Sequence, residues 1–163
     1  ILFIPDRNLG AWVRKQCPEK EILLWDGYCP IHNSITQQDV LRAKAQHPSA
    51  KLAMHPECPP EALQHADMIG ATSAIIDYAL QNEQEDILFG TECGVYNDLI
   101  QKYPRRHFYQ LRGDKLICPD MKMTSLQDVY MAITGAGGEE IVLEEPLRKA
   151  AKRSLDNMLK YGG

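Results

Sequence analysis

Two cysteines, Cys29 and Cys118, stand in nearly the same local frame. Each is followed by proline, and Gln-Asp-Val begins nine positions after each, at Gln38-Asp39-Val40 and at Gln127-Asp128-Val129. A shared register of this kind points to a duplicated unit that delivers one thiol at the same point of each copy. Thiolates are metal ligands, and two delivered from equivalent points can converge on one metal centre. The same pair also reads as two small core residues, because free cysteine packs as a small hydrophobe. Two ligands do not complete a site; Cys58 and Cys93 could contribute but lie outside the repeated frame, and Cys17, in a Gln-Cys-Pro-Glu loop, reads as incidental. There is no Cys-x-x-Cys pair, which argues against a self-contained zinc ribbon.

Three further polar sequences could do chemistry. His55-Pro56-Glu57-Cys58 places an imidazole and a carboxylate two residues apart with a proline stiffening the turn, a substrate grip or proton shuttle. It serves equally as a helix-entry loop in which Glu57 favours the helix N-terminus. Gly70-Ala71-Thr72-Ser73 can hold an anion on free N–H groups and the Thr72 hydroxyl, or can be a plain N-cap. Thr91-Glu92-Cys93-Gly94 also follows an apolar run. Glu144-Glu145 with Arg148, Lys149, Lys152 and Arg153 reads as a charged helix face. No His-x-x-x-His pair is present, and His47, His65 and His107 read as surface or loop residues.

Apolar runs alternate with amphipathic stretches. Strands are expected at Ile1–Ile4 (buried), Glu21–Trp25, Lys51–Met54, Met68–Gly70, Asp86–Phe89, His107–Leu111 and Ile141–Leu143. Helices are expected at Leu9–Lys15, from an N-cap at Thr36 to Gln46, from Pro59-Pro60-Glu61 to His65, and from a cap at Thr72 or Ser73 through Leu80. Three more are expected at Tyr96–Lys102, Ser125–Thr134 and Glu145–Leu159, with a glycine-rich break at residues 135–138. Buried strands alternating with helices mean α/β architecture with parallel sheets, and the repeat implies small three-layer α/β/α units. In such sheets ligands bind at the carboxyl ends of strands. The loops opening at Cys29, His55, Gly70 and Thr91 all fall there, and line one rim if their strands share a sheet.

Length bounds this arrangement to one ordinary domain or two small ones, since the chain has 163 residues. A net charge of −4 argues against a general nucleic-acid surface. No apolar run reaches the ~20 residues of a membrane span, and no secretory signal is visible. An odd number of widely spaced cysteines fits a reducing cytoplasm better than a disulfide framework. The chain opens at Ile1 inside a strand-like run and reads as a fragment whose N-terminus lies elsewhere.

Taken together, six ordered segments resemble the quinolinate synthase family. They are Asp6-Arg7-Asn8-Leu9-Gly10, Trp25-Asp26-Gly27-Tyr28-Cys29-Pro30-Ile31-His32, His55-Pro56-Glu57-Cys58, Gly70-Ala71-Thr72-Ser73, Thr91-Glu92-Cys93-Gly94 and Cys118-Pro119-Asp120-Met121-Lys122. The resemblance implies a cytoplasmic transferase of NAD biosynthesis that condenses iminoaspartate with dihydroxyacetone phosphate to quinolinate. It implies three pseudo-repeated α/β units, each giving one cysteine to a [4Fe–4S] cluster whose open iron acts as a Lewis acid. Carried over by motif, Cys29 and Cys118 match cluster ligands. His55, Pro56, Glu57 and Thr72 match substrate-binding positions, although Ala71 replaces a usual serine. His32 matches a position beside the cluster, with a role in proton transfer.

The family is about twice this length, so the chain resembles its C-terminal half. The first unit, most of the second and the third cluster cysteine are absent. The expected organisation is residues 1–29 as the end of a preceding unit, 30–118 as a complete unit, and 119–163 as a segment closing onto the absent first unit. The fragment alone is expected to be inactive and to hold no intact cluster. Self-association through the surface the absent half would cover is a further option. The alternative reading is a non-catalytic α/β domain that binds a phosphate or dicarboxylate without a cluster.

Overall fold

The computed structural model describes residues 1–83 and 85–162. It divides into two compact units, Ile1–Asp120 and Met121–Gly163.

The first unit holds every described strand, and every strand pairing in it is parallel. In chain order its elements are β1 (Leu2–Phe3), α1 (Arg7–Gln16), β2 (Leu23–Leu24), α2 (Pro30–Asn33), α3 (Gln37–Gln46), β3 (Lys51–Met54), α4 (Pro60–Leu63), β4 (Met68–Ile69), α5 (Thr72–Gln81), β5 (Ile87–Gly90), α6 (Cys93–Lys102) and β6 (Phe108–Gln110). β1 and β2 form a two-stranded sheet, and the other four strands form a sheet in the order β4-β3-β5-β6.

Alternation along β3 and β5 sends side chains to both faces of the larger sheet. Leu52, Met54 and Leu88 meet Val40 and Ala43 of α3 and Ala62 and Leu63 of α4 on one face. Ala53, Ile87 and Phe89 meet Ile75 and Ala79 of α5 and Leu99 of α6 on the other. This is a three-layer α/β/α sandwich with parallel strands, buried on both faces as such sheets require. The parallel direction puts the loops after β3, β4 and β5 on one rim.

The second unit contains α7 (Leu126–Thr134) and α8 (Glu145–Gly162). Gly135 closes α7 in the left-handed region at φ 70°, where a Cβ would be strained.

Several expectations are corrected. The Ile1–Ile4 run is a strand only at Leu2–Phe3 and is not buried: Leu2 is 64% exposed. Two short parallel strands have too little sheet around them to cover their apolar side chains. Ile141–Leu143 is not a strand, because the described part of the second unit offers no strand for a β-branched run to pair with. Thr72 and Ser73 are helical residues rather than caps. Ala71 holds the cap position of α5 and makes no side-chain cap hydrogen bond. α6 begins at Cys93, a turn earlier than expected, because Glu92 caps it. The four-residue helix α2 follows Cys29, with Pro30 at its first position, where a missing N–H costs nothing.

Candidate active site

Cys29 sits where the loop after β2 turns into α2. The loop is fixed from several sides. The Cys29 N–H donates to Asp6 Oδ2 at 2.7 Å. Arg7 donates to Asp26 at 2.7 Å and lies over the Tyr28 ring. Gly27 packs so closely that a Cβ there would lie 2.3 Å from the Pro5 carbonyl oxygen, so only glycine fits.

α2 then aims His32 into the first unit. His32 is 7% exposed, and both ring nitrogens have partners drawn from distant segments. Nδ1 lies 3.0 Å from Glu57 Oε2, and Nε2 lies 3.3 Å from Thr91 Oγ1. Glu57 is in the loop after β3, and Thr91 follows β5 directly. His55 stacks on His32 with ring centroids 4.6 Å apart, and its Nδ1 lies 3.6 Å from Glu57 Oε2. Pro56, between His55 and Glu57, is buried. Asn8 of α1 donates to the Glu57 carbonyl and to Asn33, tying α1 and α2 to the β3 loop.

The electrostatics follow from these contacts. The hydrogen bond from His32 holds the Glu57 carboxyl below its ordinary range, outweighing partial burial. Glu57 is therefore ionised and accepts, so Nδ1 of His32 is the donor. With a neutral ring, Nε2 is then the acceptor for the Thr91 hydroxyl. Burial, and then the neighbouring His32, push the His55 imidazole down toward its neutral form. His55 Nδ1 accepts the Glu57 N–H at 3.4 Å, so the neutral ring carries its proton on Nε2. Burial pushes the Cys29 thiol up, and Glu57 and Asp6 add to this. The geometry is a hydroxyl–imidazole–carboxylate chain beside a thiol, able to hold and move a proton.

Ligand atoms of Cys29, His32 and Glu57 all lie within 4.8 Å of one another, a mixed sulfur, nitrogen and oxygen donor set. Cys118 is half-buried and does not belong to this group. Its N–H lies 3.4 Å from Glu92 Oε1, and Glu92 adjoins Thr91. Cys58 is fully buried, its thiol points to the Gly90 carbonyl at 3.6 Å, and burial pushes it far up. Cys93 is buried at the start of α6 with its sulfur against Glu92. Cys17 is half-buried after α1. Thr72 is exposed in the first turn of α5, at the carboxyl end of β4, and among the described residues makes no hydrogen bond to His55 or Glu57.

The site thus joins Cys29, His32, His55 and Glu57, and adds Asp6, Asn8, Thr91 and Glu92, to which sequence reasoning gave no role. A signal for the last two existed: polar residues directly after a buried strand. β2 belongs to a different sheet from β3 and β5, yet the loop after it meets their loops through His32.

Comparison with known proteins bears on this site. The profile of the family described as Quinolinate synthetase A protein matches residues 1–160. A quinolinate synthase of Caldicellulosiruptor bescii is 43% identical over 162 residues, covering 99% of this chain and 53% of that protein. Those of Clostridium acetobutylicum and Clostridioides difficile are 42% and 38% identical, again over 99% and 98% of this chain and 53% and 52% of theirs. The chain spans about half the length of these curated relatives. The match runs through every segment that builds the site, and the chain belongs to the quinolinate synthetase A family.

Proposed function

We propose that this chain supplies part of the active centre of a quinolinate synthase, which in full-length form condenses iminoaspartate with dihydroxyacetone phosphate, releasing phosphate and two waters. One observation carries the reading. Glu57, His32 and Thr91 come from three separate segments and form a continuous hydrogen-bonded chain beside the Cys29 thiol.

Cys29 and Cys118 suit a [4Fe–4S] cluster by the chemistry of their donors. Both are free, half-buried thiols, whereas Cys58 and Cys93 are buried. When bound through three thiolates, such a cluster offers one open iron as a Lewis acid. Two of the three thiolates stand on this chain, and the third belongs to the portion of the full-length relatives that it does not span. The chain by itself is therefore inactive in this reading, and a cytoplasmic location belongs to the same proposal.

The chain's own residues have distinct tasks. The Glu57 carboxylate orients His32 and stabilises positive charge on it, so Nε2 of His32 can take a proton from the Thr91 hydroxyl, as that oxygen takes one from its other side, and return it by the same path. Thr91 fixes the other edge of the ring and, being 2% exposed, keeps that edge from water. His55, held neutral, presents an Nε2–H to a substrate oxygen. Thr72 and the uncapped N–H groups of α5 take a carboxylate or phosphate. No helix among the described residues is long and apolar enough to cross a membrane.

His32→Ala in the full-length enzyme should lower turnover by about 10²- to 10⁴-fold, the usual worth of a positioned acid–base group. Thr91→Val should cost less and displace the pH–rate profile. Normal turnover in His32→Ala would end the proposal. A second reading rests on the mixed donor set of Cys29, His32 and Glu57, which suits a single zinc ion in a non-catalytic, dicarboxylate-binding domain. Zinc without acid-labile sulfide in the purified full-length protein would favour it.

A further inference from the structure

We infer that Asp6 and Glu92 are paired positioning residues, each tying one of the two proposed cluster cysteines to the start of a helix. The inference rests on the cluster reading above and adds to it the residues that hold the cysteines in place.

Each carboxylate divides its two oxygens between two tasks. Asp6 Oδ1 accepts the Leu9 N–H at 2.8 Å and caps α1, while Oδ2 accepts the Cys29 N–H at 2.7 Å. Glu92 Oε2 accepts the Gly94 N–H at 2.7 Å and caps α6, while Oε1 lies 3.4 Å from the Cys118 nitrogen and 3.2 Å from the Cys93 sulfur. The arrangement spans 23 residues in the first case and 26 in the second. Both carboxylates follow short parallel strands, Asp6 after β1 and Glu92 after β5. Both are buried, at 2% and 6% exposure.

Burial of a carboxylate is costly unless its oxygens are hydrogen-bonded. Here the cysteine N–H is one of the donors to each carboxylate, so a shift of either cysteine takes one hydrogen bond away from a buried acidic group. Each cysteine is thereby located relative to a helix terminus of the sandwich rather than by its own loop. Outer residues that orient metal ligands typically govern metal affinity by 10- to 100-fold.

The test separates capping from cysteine anchoring. Asp6→Ser keeps a residue type that caps well but has no second acceptor to reach Cys29. Glu92→Gln keeps length and shape but leaves one acceptor oxygen for two N–H groups. Amide hydrogen exchange on the chain should show Cys29 exchanging about tenfold faster in Asp6→Ser, as the loss of one hydrogen bond implies. Leu9 and strand β5 should stay protected, which shows that the unit remains folded. Glu92→Gln should accelerate Cys118 less, because its bond is longer. In the full-length synthase, iron release to a chelator should speed up by about 10- to 100-fold in Asp6→Ser, with a smaller change in Glu92→Gln.

Unchanged exchange at Cys29 with β5 protected would overturn the inference. So would faster exchange with iron release unaltered. Cys29→Ser in the same full-length protein separates the two ideas: full retention of iron there overturns the cluster reading itself, while the exchange result still decides whether Asp6 anchors Cys29.

Discussion

Helices α3 and α7 begin with the same device and end in different surroundings. In α3, Thr36 and Asp39 exchange side-chain-to-backbone hydrogen bonds across the first turn, a capping box. In α7, Ser125 and Asp128 do the same. The valine after each aspartate shows the contrast: Val40 is fully buried in the core, while Val129 is 44% exposed. The aspartates differ too. Asp39 is buried and receives Arg112 and Lys115 from the segment after β6, whereas Asp128 is exposed and serves the box. The duplicated sequence therefore encodes the helix start, and the neighbours of each copy decide whether its apolar face is covered. Stability in the first unit comes from that covering, since a helix of this length is marginal by its own propensity.

The sharpest way to break the equivalence is at the cysteines that open the two copies. If both ligate one cluster, Cys29→Ser and Cys118→Ser in a full-length synthase should each abolish bound iron and sulfide to the same degree, measured after anaerobic reconstitution. Loss in one and retention in the other would show that the repeat places only one ligand.

The aspartates give the next largest contrast. Asp39→Ala leaves two cations facing a buried gap and should lower the unfolding free energy of the first unit by about 3 kcal/mol, at the low end for a broken buried pair. Asp128→Ala should leave that transition where it was. The difference depends on pH with a fixed sign. Burial pushes the Asp39 carboxyl up, but Lys115, the Thr36 N–H and hydroxyl, and Arg112 outweigh it and hold the group well below the usual range. Its contribution is thus complete above its unfolded value near 3.8 and fades as pH falls below that toward the folded value. Denaturant midpoints of the wild type and Asp39→Ala should draw steadily closer as pH is lowered below about 3.8. A gap that stays constant on acidification would show that packing, not charge, carries the effect. Smaller still is the valine pair. Val40→Ala should cost roughly 1.5–3 kcal/mol, and Val129→Ala no more than about 0.5 kcal/mol, by chemical denaturation of the same chain.

What could be read from sequence follows the same division. The starts of α3 and α7 were legible because Thr36, Ser125 and the aspartates three residues later act within one turn. β3 was legible from Lys51 to Met54 because a buried strand is a short apolar run. Burial of Ile1–Ile4 was not legible, since apolar residues report a tendency and not a neighbour. Ile141–Leu143 has strand composition and forms no strand, because pairing requires a partner that a local pattern does not reveal. The proximity of His32 to Glu57 and Thr91 spans 25 and 59 residues and depends on three loops meeting at one rim. Parallel topology predicted the rim, and the ring's two partners emerged only with coordinates.

The stacked rings of His32 and His55 have a consequence for spectroscopy. A buried imidazole with a carboxylate on one nitrogen and a hydroxyl at the other is locked in one tautomer and exchanges its ring proton slowly. Such a proton resonates far downfield of the amide region, away from the signals of the half-exposed rings. The His32 Nδ1–H thus gives the site its own reporter. It should respond when a ligand displaces His55 from the stack, before any turnover takes place.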